Sequence, residues 1–366
     1  MGKDLVIGAG LTGVVLAERI VREKCKDVLV VEKNSFVGGN CYDYPDAETG
    51  TLIHKYGPHI FHTSDKGVWD YLSRFTKWHP YYLRVRSSVD GSIVPLPFNL
   101  TAIHRLFPSS LASKLEQKLV EKVGFNKTIS ILDLRAMEDR DMAFLADYVY
   151  NKVFLPYYLK QWGFRPEELD PAVAARVPVL VGFDDRYFRD VYQGIPREGY
   201  TAMVLRILDN DRIETRLNTD YHDLDLSKFD HVFCTAPIDE YFDFCLGELP
   251  YRSLSFDVRR EKVERIQDVA VVSYPCNYDF TRICEHKHFL PDATNSTVFS
   301  LEYPAAFVRG VNERYYPIPR QENWDLYARY LELAGKHPQL TFAGRLGDYK
   351  YYNMDQAVKR ALELPL

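Results

Sequence analysis

The residues Asp4-Leu-Val-Ile-Gly8-Ala-Gly10-Leu-Thr12-Gly13 decide the fold of this 366-residue chain. The apolar run before Gly8 is typical of a short buried strand, and residues 14–24 follow with apolar side chains at helical spacing. A second apolar run, Val28–Val31, ends at Glu32. The order of strand, glycine turn, helix, strand and acid predicts a βαβ unit that binds a dinucleotide, although the bare glycine pattern alone would be weak evidence.

Each glycine of this turn has a physical role. Gly8 allows the tight turn, Gly10 lets a pyrophosphate approach the backbone, and Gly13 lets the helix pack closely on the strand. The N–H groups at the helix N-terminus favour phosphate oxygens, and Thr12 lies among them. Glu32 stands where a carboxylate would accept hydrogen bonds from adenosine ribose hydroxyls. The alternative, a glycine-rich turn without a ligand, is disfavoured by the neighbouring strand, helix and acid.

A second glycine pair distinguishes between two dinucleotides. Val37-Gly38-Gly39-Asn40 follows soon after the acid, where an ordinary NAD domain would continue into a helix. Such a pair suits the longer FAD molecule, which must pass close to the backbone twice. Near the C-terminus, Thr341-Phe-Ala-Gly344-Arg345 precedes a helical pattern at Met354–Leu364 and would place another turn and helix start beside the cofactor. We therefore predict FAD.

The order of the predicted elements indicates an α/β fold assembled from both ends of the chain. Helical patterns occur at about Lys66–Phe75, Ser109–Val123, Asp139–Lys152, Tyr200–Asp209, Asp239–Cys245 and Gln321–Gly335. Strand-like runs lie on both sides of the helical block, and Asp90-Gly91 predicts a hairpin turn within Tyr82–Pro97. We predict a Rossmann-like FAD-binding domain (1–80, 205–250 and 338–366), an inserted helical domain (98–175) and an antiparallel β-sheet substrate domain (81–97, 176–204 and 251–337).

Composition excludes several classes of protein. Lys and Arg number 46 against 51 Asp and Glu, so no basic face recommends a nucleic-acid partner. No apolar run reaches the roughly 18 residues of a membrane span, and the N-terminus lacks a signal-peptide pattern, so we expect a cytosolic protein. The six cysteines form no C-x-x-C pair and are expected to be buried free thiols.

Aromatic residues and histidines supply the remaining candidates for a site. The chain is 14% aromatic with 26 Tyr, which favours a wet, aromatic-lined cleft. Aromatic residues and arginines mix at 157–163, 176–178 and 184–188, where they would stack a base and bind phosphates, or else serve the core and surface. His59 and His62 have no third ligand nearby, so we predict no metal. They remain hydrogen-bonded core histidines or flavin-facing groups.

Nine motifs occur in a characteristic order along the chain: Gly8-Ala-Gly10, Gly38-Gly39-Asn40, Tyr56-Gly-Pro-His-Ile-Phe-His62, Lys160-Gln-Trp-Gly163, Arg176-Val-Pro178, Tyr192-Gln-Gly-Ile-Pro196, Thr281-Arg-x-x-Glu-His-Lys287, Tyr315-Tyr-Pro-Ile318 and Gly344-Arg-Leu-Gly347. Taken together, they resemble the bacterial UDP-galactopyranose mutase family over essentially the whole chain. Jointly they are specific to that family rather than to flavoproteins at large.

The resemblance implies an unusual use of flavin. It implies redox-neutral interconversion of UDP-galactopyranose and UDP-galactofuranose, in which N5 of the reduced flavin attacks the anomeric carbon. The alternatives are the same chemistry on UDP-N-acetylgalactosamine or a dTDP-6-deoxyhexose, an amine-oxidase-like FAD oxidoreductase, and a sugar-nucleotide-binding protein with no flavin chemistry. The expected partners are a small nucleotide sugar and an external electron donor for the flavin, with no nucleic acid and no membrane; a homodimer is left open.

Roles carry over to this chain only where its motifs match the family's. The resemblance implies a catalytic set of His62, Arg176 and Arg282. It implies a substrate-binding set of Phe154, Tyr157, Trp162, Arg176, Tyr187, Arg282, Tyr316 and Tyr351, in which the two arginines bind the diphosphate. It implies a cofactor-binding set of Gly8, Gly10, Thr12, Gly13, Glu32, Lys33, Gly39, Asn40, His59, Ile60, Gly344, Arg345 and Met354.

Three positions depart from the family's usual pattern. Leu83 stands where Asn is common, Tyr158 where Thr is common, and Asn353 where Asp is common. These departures bear on which nucleotide sugar is bound, and we expect an altered or broadened choice of substrate rather than an inactive enzyme.

Overall fold

The computed structural model describes residues 2–174, 177–291 and 294–366. Its helices are α1 (Leu11–Lys24), α2 (Lys66–Ser73), α3 (Leu100–Leu106), α4 (Ser109–Lys122), α5 (Ile131–Arg135), α6 (Arg140–Val149), α7 (Leu155–Gln161), α8 (Pro171–Ala174), α9 (Tyr200–Leu208), α10 (Ile238–Tyr241), α11 (Gln321–Ala334), α12 (Gly344–Gly347) and α13 (Met354–Glu363). Across these described ranges, no helix has the length and apolar character that crossing a membrane requires.

The strands are mostly short. They are β1 (Lys3–Ile7), β2 (Asp27–Val31), β3 (Asp43–Pro45), β4 (Leu52–His54), β5 (Phe61–Thr63), β6 (Trp78–Pro80), β7 (Val85–Val89), β8 (Ser92–Leu96), β9 (Thr128–Ile129), β10 (Val179–Leu180), β11 (Tyr192–Pro196), β12 (Ile213–Arg216), β13 (Val232–Cys234), β14 (Tyr251–Glu261), β15 (Val271–Ser273), β16 (Arg282–Glu285), β17 (Thr297–Ala306), β18 (Tyr316–Pro317) and β19 (Leu340–Phe342).

The chain divides into two compact units, each made of separate segments. The first unit contains the residues up to Tyr81 together with Asp190–Tyr251 and Glu313–Leu366. The second contains Tyr82–Arg189 and Arg252–Asn312. The finer division into three domains stays a prediction.

A parallel sheet forms the core of the first unit. Its strands run in the order β12-β2-β1-β13-β19, and every neighbouring pair is parallel. Helix α1 connects β1 to β2, and its apolar face is buried together with the strand residues, so that Leu5, Leu16 and Val30 have no exposed surface. The predicted βαβ unit and Rossmann-like α/β fold are confirmed.

Two smaller pieces complete the first unit. Strands β5, β11 and β6 form an antiparallel sheet in which His62 pairs with Gln193. Strands β3 and β4 form a hairpin, and the buried carboxylate of Asp43 accepts hydrogen bonds from the N–H groups of Tyr200 (2.6 Å) and Thr201 (2.9 Å). This side chain therefore supplies acceptors for the first turn of α9.

The second unit combines helices α3–α8 with a sheet whose strands run β14-β17-β16-β15-β7-β8. All neighbours in that series are antiparallel except β15 and β7, which run parallel. The predicted hairpin is present as β7 and β8, and its turn residues Asp90 and Gly91 both have positive φ, as a tight hairpin turn requires. The predicted antiparallel sheet is therefore correct apart from one parallel pair.

The predicted helix over Asp139–Lys152 has a different form. Helix α6 ends at Val149, a π-helical turn spans Tyr150–Phe154, and α7 continues from Leu155. Pro156 has no N–H to donate to the carbonyl four residues earlier, so an α-helix that continued through it would lose that bond and kink. Directly before this proline the turn is wider, and the N–H of Leu155 bonds to the carbonyl of Tyr150, five residues back.

The predicted helix over Asp239–Cys245 is too long. Helix α10 ends at Tyr241, and the chain then turns through Asp243 and Phe244. Both residues have positive φ, at 50° and 56°, and this conformation is incompatible with continuing a right-handed helix.

All six cysteines are free thiols, but the expectation that they are buried is wrong for three of them. Cys41, Cys234 and Cys284 are buried. Burial raises the pKa of the Cys41 thiol to about 12, so it stays protonated at neutral pH. The exposed cysteines are Cys25, Cys245 and Cys276, which lie in turns that follow α1, α10 and β15.

The close packing of α1 on β1 gives a stability prediction. A Cβ on Gly13 would lie 2.0 Å from the carbonyl oxygen of Gly8, which is backbone and cannot move aside. We expect Gly13→Ala to lower the free energy of unfolding by about 1–3 kcal/mol, measured by urea denaturation.

Gly335→Ala is the matched control. Gly335 has helical φ, and its added Cβ would meet only ordinary contacts at 3.5 and 3.6 Å. This variant should be neutral or more stable by about 0.4–1 kcal/mol. Equal stabilities for the two variants would contradict the packing argument.

Candidate glycine-lined cofactor site

Two glycine segments touch through their backbones in the first unit. The N–H of Gly38 donates to the carbonyl of Ala9 at 2.8 Å, and Gly10 forms a parallel bridge with Gly38. A Cβ on Gly39 would lie 3.1 Å from the Cα of Gly10, and Gly39 has a positive φ of 54°. The turn after β1 and the segment of Gly38 and Gly39 therefore present bare backbone side by side, as a cofactor cradle requires.

A third glycine segment reaches the same helix end. Gly344 follows β19 with φ 87°, and its Cβ would lie 3.0 Å from the hydroxyl oxygen of Thr12. Thr12 is buried in the first turn of α1, and Met354 begins α13, which packs beside α1. All three predicted glycine turns thus converge at the carboxyl ends of parallel strands, where open α/β sheets bind ligands.

Glu32 is fixed beside the first turn. Its buried carboxylate accepts the N–H of Ala9 at 2.9 Å, and it also accepts the backbone N–H (2.9 Å) and side-chain amide (2.7 Å) of Asn34. These bonds aim the carboxylate at the turn. Lys33 is exposed, and Asn40 is half-buried in a short 3₁₀ turn over Gly39–Cys41.

Arg345 lies against two of the predicted tyrosines. Its guanidinium carbon is 5.5 Å from the ring centroid of Tyr316 and 5.7 Å from that of Tyr351. The two rings meet edge to face at 4.9 Å, and Arg345 donates to the carbonyl of Tyr352 at 2.8 Å. The side chains of Tyr316, Arg345 and Tyr351 therefore form one cation–π cluster in the first unit.

The two histidines have different environments. His62 Nδ1 lies 2.7 Å from a carboxylate oxygen of Asp190, whose other oxygen accepts the hydroxyl of Ser64 at 2.7 Å. His59 Nδ1–H donates to the carbonyl of Gly57 at 2.8 Å. Ile60 between them is buried. Among the described residues, no group of three His, Cys, Asp or Glu side chains could bind a metal ion.

Asp190 is a residue that the sequence did not reveal. It lies 128 positions from His62 and reaches it because β11, which begins at Tyr192, pairs with β5. No spacing pattern links the two segments, so only the strand pairing brings this carboxylate to the imidazole.

In the second unit, three predicted substrate residues share one helical segment. Phe154 closes the π-helical turn and is buried, Tyr157 lies half-buried on α7, and the buried Trp162 follows its last residue. Tyr187 lies in a loop and donates its N–H to the carbonyl of Leu83 at 2.8 Å.

Arg282 is paired with a glutamate that the sequence did not single out. Its Nη2 donates to both carboxylate oxygens of Glu302, at 2.6 and 2.7 Å, and its Nε donates at 3.2 Å. The two residues face each other across β16 and β17, and Glu302 is buried. The pair fixes the plane of the guanidinium. Arg176 lies outside the described residues.

The three departures from the family pattern have different surroundings. Leu83 is buried, and its carbonyl accepts the N–H of Tyr187. The hydroxyl of Tyr158 donates to the carbonyl of Val173 at 2.9 Å, which ties α7 to α8. Asn353 is the N-cap of α13, where its N–H bonds to the side chain of Gln356 at 2.9 Å to form a capping box.

The parallel sheet, the glycine turn and the fixed acid define a dinucleotide-binding α/β protein. A family model of the NAD(P)-binding Rossmann-like domain matches residues 6–75. A second family model, UDP-galactopyranose mutase, matches residues 152–351, which is more than half of the chain. The chain belongs to the UDP-galactopyranose mutase family, and its members are isomerases.

Individual relatives agree with this assignment, and a solved structure shares the fold. The chain is 35% identical over 363 residues to a Klebsiella pneumoniae protein named "Probable UDP-galactopyranose mutase", covering 98% of this chain and 92% of the relative. It is 33% identical over 375 residues to the dTDP-fucopyranose mutase of Escherichia coli, covering 99% and 97%. A crystal structure of reduced UDP-galactopyranose mutase shares the fold, with a TM-score of 0.75 at 16% identity over 99% of this chain and 94% of that chain.

The capping role of Asn353 gives a prediction. Aspartate and asparagine are equally good N-caps, so Asn353→Asp should leave the free energy of unfolding within about 0.5 kcal/mol of the parent. Asn353→Ala should lower it by about 1 kcal/mol, because the first turn of α13 loses an acceptor. Urea denaturation measures both. A neutral Asn353→Ala would remove position 353 from the helix cap.

Proposed function

We propose that this protein is an FAD-dependent mutase that interconverts the pyranose and furanose forms of a nucleotide sugar, with UDP-galactose as its leading substrate. The observation that carries the proposal is the convergence of three glycine segments in a chain of this family: the segments of Gly10 and Gly38 touch through their backbones, and Gly344 approaches the side chain of Thr12. A dinucleotide as long as FAD needs bare backbone at more than one point, and side chains at Gly39 or Gly344 would fill that space.

The residues of the first unit fit such a cofactor. The N-terminus of α1 would bind the pyrophosphate, and Glu32 would accept the ribose hydroxyls. The residues that we propose to bind FAD are Gly8, Gly10, Thr12, Gly13, Glu32, Lys33, Gly39, Asn40, His59, Ile60, Gly344, Arg345 and Met354.

When bound and reduced, the flavin would supply a nucleophilic ring nitrogen for the anomeric carbon, so that the isomerisation requires reduced flavin and yet consumes no electrons. An external electron donor would therefore be needed to prepare the enzyme and not for each turnover. His62 would serve beside the flavin, and its hydrogen bond with Asp190 orients the imidazole.

The remaining proposed residues would bind the nucleotide. Arg176 and Arg282 would bind the diphosphate, Phe154 and Tyr157 the base, and Trp162 the sugar, while Tyr187, Tyr316 and Tyr351 would donate hydroxyls to the phosphates. Because Glu302 neutralises Arg282, this arginine would contribute oriented hydrogen bonds more than net positive charge. Arg176 would then contribute more of the electrostatic attraction for the diphosphate.

A second candidate substrate is a dTDP-6-deoxyhexose. The dTDP-fucopyranose mutase of Escherichia coli matches this chain nearly as well as the Klebsiella pneumoniae relative does, at 33% against 35% identity. The buried Leu83 side chain has no hydrogen-bonding group, and a site without such a group discriminates less between related ligands.

Gly10→Ala tests the cofactor site. A Cβ on Gly10 would meet only the Cα of Gly39 at 3.9 Å, and the backbone at Gly10 is extended, so the protein itself accepts alanine. The added methyl group would meet the pyrophosphate instead. We expect flavin affinity to fall by about tenfold or more, measured from the flavin-to-protein ratio, while the flavin-free protein keeps its stability. Full flavin content would show that the pyrophosphate binds elsewhere.

A product assay tests the reaction. Dithionite-reduced protein is incubated with UDP-galactose, UDP-N-acetylgalactosamine or a dTDP-6-deoxyhexose, and the products are separated by chromatography. We expect furanose product with no stoichiometric loss of reducing equivalents, whereas consumption of reductant at each turnover would indicate an oxidoreductase and contradict the proposal. Comparing kcat/KM in Leu83→Asn and Asn353→Asp shows whether these positions set substrate choice. Unchanged ratios would show that they do not.

A further inference from the structure

Lys160 is engaged by three carbonyl groups in the second unit. Its Nζ donates to the carbonyls of Asn277 at 2.8 Å, Tyr274 at 2.9 Å and Phe280 at 3.3 Å. An ammonium group has three N–H donors, so the three carbonyls match its full complement. The described hydrogen bonds of the Lys160 ammonium group are with backbone carbonyls. Lys152, in the π-helical turn before α7, instead forms an ordinary ion pair with Asp90.

The three carbonyls belong to one hairpin loop that leads into Arg282. Strands β15 and β16 pair with Ser273 opposite Arg282, and the loop between them is closed where the N–H of Tyr274 donates to the carbonyl of Thr281 at 2.8 Å. The loop is otherwise irregular, and Tyr278 has a positive φ of 61°. The rings of Tyr274, Tyr278 and Phe280 pack against one another within the loop, and the ammonium group adds the hydrogen bonds that join this loop to α7.

The same lysine lies between the predicted base-binding and sugar-binding residues on α7. Tyr157 precedes it by three positions, and Trp162 follows it by two. On the other side of the helix end, Arg252 donates to the carbonyls of Gln161 at 2.7 Å and Lys160 at 2.9 Å. The end of α7 is thus attached to β14 through Arg252 and to the hairpin loop through Lys160.

A further hydrogen bond joins the hairpin loop to the helical segment that contains α7. The thiol of Cys276 in the loop donates to the carbonyl of Lys152 in the π-helical turn at 3.3 Å. A thiol is a weak donor, so this bond adds little next to a charged one.

Burial lowers the pKa of Lys160, and the three carbonyl acceptors offset the cost of burying its charge.

We propose that Lys160 is a positioning residue for nucleotide binding, which fixes the loop before Arg282 to the helix that carries Tyr157 and Trp162. The inference rests on the proposed function, because it takes those three residues as the nucleotide-binding groups. Without the ammonium group, Arg282 and the aromatic residues would no longer be held in one arrangement before the nucleotide arrives, and binding would have to order them.

The test measures, by calorimetry, the affinity of the flavin-loaded protein for UDP. We expect Lys160→Met, which keeps the apolar stem, to weaken UDP binding by about 10- to 100-fold with flavin content unchanged. Lys160→Arg should weaken it as well, because a planar guanidinium cannot direct three donors at carbonyls placed for an ammonium group. Lys152→Met, which breaks only the exposed pair with Asp90, is the matched control and should bind UDP like the parent.

Chemical rescue separates positioning from general folding. In Lys160→Ala, added propylammonium would refill the three-carbonyl site and restore much of the UDP affinity, whereas tetramethylammonium, which has no N–H donor, would not. UDP affinity within twofold of the parent in both Lys160→Met and Lys160→Arg would overturn the proposal, as would weakened binding that propylammonium leaves unchanged. If the parent binds no UDP, UDP-galactose fails as the leading substrate, and the same variants are compared with dTDP; if the parent binds neither nucleotide, the proposed function fails rather than the role of Lys160 alone.

Discussion

The first unit depends on the absence of a side chain at one position. A Cβ on Gly13 would lie 2.0 Å from the carbonyl oxygen of Gly8, so α1 can pack on β1 only with glycine there. Because α1 starts against the strand, its first N–H groups lie beside the backbone of Gly10 and Gly38. The carboxylate of Glu32, which accepts the N–H of Ala9, and Gly344, which approaches Thr12, lie at the same end of α1.

Much of this arrangement could be predicted from the sequence, because it depends on local pattern. The βαβ unit, the hairpin turn at Asp90-Gly91 and the helices with strong apolar spacing depend on residues close together in the chain. Each of the three glycine turns has a local pattern of its own, and the resemblance together with the predicted α/β fold places them beside one cofactor. The pairing of Arg282 with Glu302 and of His62 with Asp190 depends on strand register, which no short pattern encodes.

Within the described residues, three cationic side chains at or beside the proposed binding residues already have partners before any ligand is considered. Arg282 is paired with a buried carboxylate, Arg345 lies against two tyrosine rings, and Lys160 is surrounded by carbonyls. Arginine and lysine side chains lose considerable rotamer entropy when they are ordered, and here much of that cost is met during folding. Such preorganisation favours affinity and selectivity together, because a ligand then meets groups already in place.

The π-helical turn at Tyr150–Phe154 has a consequence for how such proteins diverge. One extra residue in a helix rotates everything after it by about 100° around the helix axis. A helical wheel continued from α6 therefore misplaces Tyr157 by about 100° around the axis, and a single-residue insertion or deletion in this turn would rotate the side chains of α7 by about the same angle relative to α6. Relatives that differ by one residue here would therefore turn a different set of α7 side chains toward the proposed nucleotide.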